Sequence, residues 1–172
     1  MKVCVNAGHC CGIDPGAIGQ QGTQEAYINK LIASHVKKYL EGRGIEVISV
    51  SEKNLAKVCL ASNENNCNYF VSIHCNAAAN RSARGTETFY YRGSARGKKM
   101  AKAINDEIVA TLGTKDRGAK ETRSLYVVRN TNAPAVLVEC AFISNPDDEK
   151  LLVEKANVFG QAIVRGLLKG IK

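Results

Sequence analysis

The sequence predicts a single α/β domain: a twisted, mostly parallel six-stranded sheet with helices on both faces. Three observations predict it. Short β-branched and aromatic runs alternate with longer segments of helical period along most of the chain, which is the pattern of βαβ units. The 172 residues suffice for one core, burying roughly 70% of the surface an unfolded chain would expose. No repeat, low-complexity tract or interior linker divides the chain, so residues 1–172 read as one domain.

Taken in order, Val3 to Asn6 is a first strand, followed by Gly8-His9-Cys10-Cys11-Gly12 and the turn signal Asp14-Pro15-Gly16. Thr23 to Gly42 is helical, with Ala26, Tyr27, Leu31, Ser34 beside His35, Val36, Tyr39 and Leu40 recurring at three and four. His35 itself reads as surface or helix packing. Ile45 to Val50 is a strand, and Lys53 to Asn63 a helix with Leu55, Val58, Cys59 and Ser62 inward. Tyr69 to His74 is a buried strand ending in a histidine, and Gly85 to Tyr91 is the fourth strand. Ser94 to Leu112 is a helix, apolar at Met100, Ile104, Ile108 and Leu112 and closed by Gly113. Lys115 to Arg123 reads as a polar loop, with Leu125 to Val128 and Ala135 to Glu139 as the last two strands. Asn145 and Pro146 suit the N-cap and first position of a final helix reaching about Lys169. Asp147, Asp148 and Glu149 complement its dipole, which explains the acid trio better than a metal site does.

Composition narrows the function. No apolar run approaches the ~18 residues of a membrane span, and Met1 to Asn6 lacks the apolar core of an export signal. The net charge of +8 fits a solvated basic surface or attraction to a polyanion, and charge alone does not choose between them. Cys4, Cys10, Cys11, Cys59, Cys67, Cys75 and Cys140 contain no Cys-x-x-Cys pair, so most are expected to be reduced thiols that pack as small hydrophobes.

The chemistry converges on one sheet edge. Open parallel sheets bind ligands beyond the carboxyl ends of their strands. His9 follows the first strand, His74 ends the third, Glu139 ends the last, and Glu25 opens the first helix, which must begin on that edge. Each has a structural reading: His74 as a polar cap, His9 as a backbone or phosphate contact, Glu25 as a dipole partner. Glu139 is the hardest to explain that way, because a strand-embedded carboxylate is costly to bury alone. Together, the count fits His9, Glu25 and His74 as a zinc tripod with Glu139 as the base.

With these residues located, the chain resembles the zinc-dependent type-3 N-acetylmuramoyl-L-alanine amidases. The resemblance rests on Ala7-Gly8-His9 with Asp14-Pro15-Gly16-Ala17, on Glu25, on Ser72-Ile73-His74-Cys75-Asn76-Ala77, on Asp116-Arg117-Gly118, on Leu125-Tyr126-Val127-Val128, and on Val138 to Asn145. It implies zinc held by His9, Glu25 and His74, with Glu139 as the catalytic glutamate. The implied reaction is hydrolysis of the amide between N-acetylmuramic acid and L-alanine in peptidoglycan. Cys10 and Cys11 stand where the family has glycines, Cys140-Ala141 replaces a leucine- or glycine-type pair, and the usual arginine of the second helix is absent, with Lys57 nearby. Strand alternation places Cys75 on the face opposite His74.

The expected partners are peptidoglycan and anionic wall polymers, without nucleic acid or membrane insertion. The expected place of action is the bacterial cell wall, reached by lysis or holin release or as a domain of a longer secreted protein. Two other readings make different demands. A hydrolase using Cys10 or Cys75 as nucleophile needs a reactive thiol beside an imidazole, and a nucleic-acid-binding module needs only the basic surface.

Overall fold

A computed structural model describes residues 1–172. The elements are β1 (Lys2–Ala7), α1 (Glu25–Glu41), β2 (Glu46–Val50), α2 (Leu55–Glu64), β3 (Tyr69–Asn76), β4 (Thr86–Tyr91), α3 (Ala95–Leu112), β5 (Asp116–Thr122), α4 (Tyr126–Asn130), β6 (Ala135–Phe142) and α5 (Pro146–Gly170). One six-stranded sheet has the order β2-β1-β3-β6-β4-β5. All its pairings are parallel except β4 with β6. The chain moves outward from β1 to β2, then returns to the other side of β1 as β3. This makes the β1/β3 carboxyl edge the topological switch point where open sheets bind ligands.

Strand alternation sends Val3, Val5, Val71, Ile73, Val136 and Val138 to one face, where they pack with residues of α1, α3 and α5. Cys4, Phe70, Ala135 and Leu137 go to the other face, beneath α2 and α4. On α1 the buried stripe is Ala26, Ile28, Ile32, Val36 and Leu40, at helical spacing. Tyr27, expected inside, is 60% exposed, because Ile28 and Ile32 carry the inward face instead. Leu55 is likewise exposed, while Val58, Cys59 and Ser62 are buried as expected. No helix is long and apolar enough to cross a membrane.

The expected sixfold count holds, but one strand is a different segment. Lys115 to Arg123 is not a loop: Asp116–Thr122 forms β5, paired in parallel with β4 at the sheet's edge. Edge strands carry charge on positions that a central strand would bury, which gives this one a loop's composition. Leu125 to Val128 is not a strand. It enters the short helix α4, whose Val127 and Val128 are buried against the α2 side. A short apolar run does not by itself distinguish the two states. β3 and β6 also run past His74 and Glu139, to Asn76 and Phe142.

The acid trio at the start of α5 does more than face the helix dipole. Asn145 caps the helix as expected, accepting from the Asp147 and Asp148 amides. Asp147 is exposed, but Asp148 and Glu149 are buried. The Asp148 Oδ2 accepts from the Gly85 and Phe142 amides at 2.8 and 2.9 Å.

Helices α3 and α5 approach closely at Gly166. A Cβ there would lie 2.5 Å from the Ile104 Cα and 2.7 Å from the Ala103 carbonyl oxygen. Gly166→Ala is therefore expected to destabilise by about 1–3 kcal/mol through overpacking, against the roughly 1 kcal/mol gain of an unhindered helical site. Urea unfolding measures the sign, and an unchanged or higher midpoint would show that the helices do not pack this tightly.

Candidate active site

β1 ends in Ala7, and Gly8 extends the ladder by donating its amide to the Ile73 carbonyl at 2.9 Å. Gly8 is required by its neighbour, since a Cβ there would sit 2.2 Å from the His74 ring. His9 then turns the chain with φ of 62°, a left-handed conformation that costs a non-glycine residue roughly 1–2 kcal/mol. The turn is tied down on both sides. The Ser51 hydroxyl donates to the His9 carbonyl at 3.1 Å, and the His9 Nδ1 meets the Asp14 Oδ2 at 2.9 Å. Asp14 is itself fixed by the Gly16 amide on its other oxygen. With Nδ1 bonded to Asp14, the Nε2 of His9 is turned toward Glu25 at 3.2 Å.

Glu25 is buried in the first turn of α1. Its Oε2 accepts from the Ala17 amide at 3.0 Å and faces His9. Its Oε1 meets the His74 Nδ1 at 3.0 Å and accepts from the Cys75 amide and Asn29 Nδ2 at 3.2 and 3.3 Å. Asn29, one turn along α1, also donates to the Gly8 carbonyl and so ties helix to turn. Burial pushes the Glu25 carboxyl up, but the bonds from His74 and His9 outweigh it and hold the group well below the usual carboxylate range. His9 is pushed up to about 9, chiefly by Glu25 against the effect of burial, with Asp14 adding to the rise. One ligand atom from each of His9, Glu25 and His74 lies within 4.8 Å of the others. Two imidazoles and one carboxylate at that spacing can hold a metal ion.

Glu139 stands opposite His74 in the β3–β6 ladder and opposite Glu87 in the β6–β4 ladder. Directly paired residues share a sheet face, so these three side chains form a row. A bulge follows at once, with Asn76 opposite Phe142, one residue out of step. The Glu139 Oε2 is buried and has no hydrogen-bond partner. Burial pushes this carboxyl up to about 7; His74 opposes the rise, and the charges of Glu25 and Glu87 add to it.

All four expected residues thus meet at the predicted edge. Beneath His9 and His74 lies a groove of about 380 Å³, lined partly by Lys53, Leu55, Leu125 and Tyr126. Cys75 is buried on the opposite face, as alternation predicts, with its Sγ bonded to the Asn29 Oδ1 at 3.3 Å. Burial raises its thiol well above the usual value, which disfavours the thiolate that a nucleophile needs. The Cys10 Sγ lies 3.9 Å from the Ser51 carbonyl. Two groups were missed. Glu87 reads in the sequence as one polar residue of a strand, yet it is buried and bonded to Asn76, Arg117 and Lys120. Glu149 accepts from the Gln21 amide on both oxygens, anchoring the loop that leads to Glu25. Only contacts distant in sequence reveal either one.

A carboxylate-bridged histidine pair beside a buried, protonatable glutamate, at the switch point of an α/β sheet, defines a hydrolase-type site. The chain belongs to the N-acetylmuramoyl-L-alanine amidase family, whose profile matches residues 3–169. Among relatives, the Bacillus subtilis amidase LytC is 38% identical over 146 residues, covering 81% of this chain and 29% of LytC. The germination-specific N-acetylmuramoyl-L-alanine amidase of the same organism is 28% identical over 93% of this chain and 74% of its own length. Among solved structures, the amidase AmiC2 of Nostoc punctiforme superposes with a TM-score of 0.91 at 30% identity, covering 98% of this chain and 96% of that one. The chain is an amidase acting on peptidoglycan. Membership favours that expectation over the thiol-nucleophile and nucleic-acid readings.

Glu149→Ala is expected to release the Gln21 amide and loosen residues 17–24 while β1 and β3 stay protected. Hydrogen exchange reads this directly. Equal loss of protection across the sheet would mean that Glu149 supports the whole fold and not this loop.

Proposed function

We propose that the domain hydrolyses the amide joining the lactyl group of N-acetylmuramic acid to L-alanine, with zinc held by His9, Glu25 and His74. The observation that carries this reading is the convergence of the three donor atoms within 4.8 Å. The donor set suits zinc, which favours imidazole and carboxylate ligands in catalytic sites and leaves a position open. Glu25 enters as an anion, since its carboxyl is held well below the usual range. Asp14 supplies the outer bond that orients His9, a common device around metal-binding histidines. Bound there, zinc supplies a Lewis acid for the scissile carbonyl and for an attacking water.

The chain's own proton carrier is Glu139. A carboxylate near pH 7 can take a proton from the attacking water and return it to the departing α-amine of alanine. Its burial and its unpartnered Oε2 support that role, because no competing bond holds the oxygen. The rigid β6 backbone keeps it level with His74. The place of action in this reading is the cell wall. A net charge of +8 draws the domain toward anionic wall polymers.

The test is release of free N-terminal alanine from purified peptidoglycan, with metal content measured in parallel. Glu139→Gln is expected to lower kcat by about 10²–10⁴-fold while zinc content stays intact. Chelation should abolish cleavage and added zinc should restore it, whereas thiol alkylation should largely spare it. Cleavage that survives chelation, or a Glu139→Gln enzyme as active as the parent, would overturn the assignment.

A further inference from the structure

Beyond the four residues already assigned roles, Glu87, Arg117 and Lys120 form a second charged group on the same row. Glu87 is buried beside Glu139 in the β6–β4 ladder. Its Oε1 accepts from the Asn76 Nδ2 at 2.6 Å. Its Oε2 takes the Arg117 Nε at 3.0 Å and the Lys120 Nζ. The Arg117 guanidinium carbon lies over the Phe142 ring, 4.7 Å from its centroid, at cation–π distance. Two cations thus share one carboxylate, leaving one positive charge in excess. A guanidinium has five N–H donors and an ammonium three, and Glu87 uses one from each. The Arg117 and Lys120 side chains are 29% and 41% exposed, so the remaining donors can reach solvent.

We propose that Arg117 and Lys120, held in place by Glu87, form a carboxylate-binding subsite for the acidic residue that follows L-alanine in the stem peptide. The inference rests on the amidase reading and names the part of the substrate recognised beside it. The spacing agrees. Adjacent strands lie ~4.8 Å apart, which sets the β5 backbone ~14 Å from that of β3 and ~10 Å from that of β6, and the two cations reach back to Glu87, which stands next to Glu139. An extended peptide advances ~3.5 Å per residue, so a carboxylate two residues past the scissile amide falls ~7 Å away.

The experiment compares two disaccharide muropeptides, one with the free α-carboxylate on the glutamate after alanine and one with that group amidated. The parent is expected to prefer the free acid in kcat/KM by roughly 10-fold to 100-fold, the range of a charge-assisted hydrogen bond. Arg117→Gln should collapse this ratio toward one, with the change falling on KM for the acid form. Lys120→Gln, at a more exposed position, repeats the test if Arg117→Gln does not fold. Arg117→Lys should recover part of the preference. Equal turnover of both muropeptides by the parent, or variants that lower both rates in proportion, would overturn the subsite and leave the amidase reading standing. Cleavage of neither substrate, and none of intact peptidoglycan, would remove both.

Discussion

The carboxylate of Glu25 is the interaction on which the site depends. It touches the turn after β1 through His9, the end of β3 through His74 and the Cys75 amide, the Asp14–Gly16 turn through the Ala17 amide, and its own helix through Asn29. An anion buried in this way is tolerated only when both oxygens are fully bonded. The surroundings have been shaped accordingly. Glycine stands at position 16, where a Cβ would come 2.6 Å from the Glu25 Oε2 and 2.7 Å from the His9 ring. Glycine also stands at position 19, where a Cβ would meet the Glu149 carboxylate at 2.1 Å. The loop that delivers Glu25 is therefore pressed against both carboxylates, and its small residues are a consequence of that closeness.

The second constraint is the register of the sheet. Because β6 lies between β3 and β4, His74, Glu139 and Glu87 stand side by side across three strands. Their alignment requires no loop to adopt a special shape. The antiparallel β4–β6 pairing brings the start of β4, rather than its end, to this edge, and Glu87 with it. The bulge after Glu139 ends the row, and Asn76 then faces Phe142. That shift places the aromatic ring beneath Arg117 and the Asn76 amide on Glu87. His74, Glu139, Glu87 and the cations bonded to it thus follow one another along the edge in an order set by backbone pairing.

Much of this arrangement was legible in the sequence because it follows from alternation and topology. His9, His74 and Glu139 each follow or end an apolar run, and Glu25 opens a helix, so a parallel sheet must bring them to one edge. The parts that were not legible have physical reasons. β5 has the composition of a loop because an edge strand exposes its charges, and α4 holds too few apolar residues to show a period. Glu87 and Glu149 look like ordinary polar residues until contacts 30 and 128 positions away are known. The left-handed backbone of His9 leaves no mark on its residue type, since the strain is carried by the bonds from Ser51 and Asp14.

Two carboxylates at one edge are driven in opposite directions by their surroundings. Glu25 is surrounded by donors, and the bonds from His74 and His9 hold its carboxyl well below the usual carboxylate range. Glu139 is buried with an unpartnered oxygen and with the charges of Glu25 and Glu87 close by, so its carboxyl is pushed up to about 7 and holds its proton more tightly than an ordinary carboxyl. In general a carboxyl held low suits a metal ligand, and one raised toward neutrality suits acid–base work. Exchanging the two environments would require moving the Ala17, Cys75 and Asn29 donors from one carboxylate to the other. Those donors belong to the β1–α1 and β3 backbones and to α1 itself. The fold therefore fixes which carboxyl is held low and which is raised.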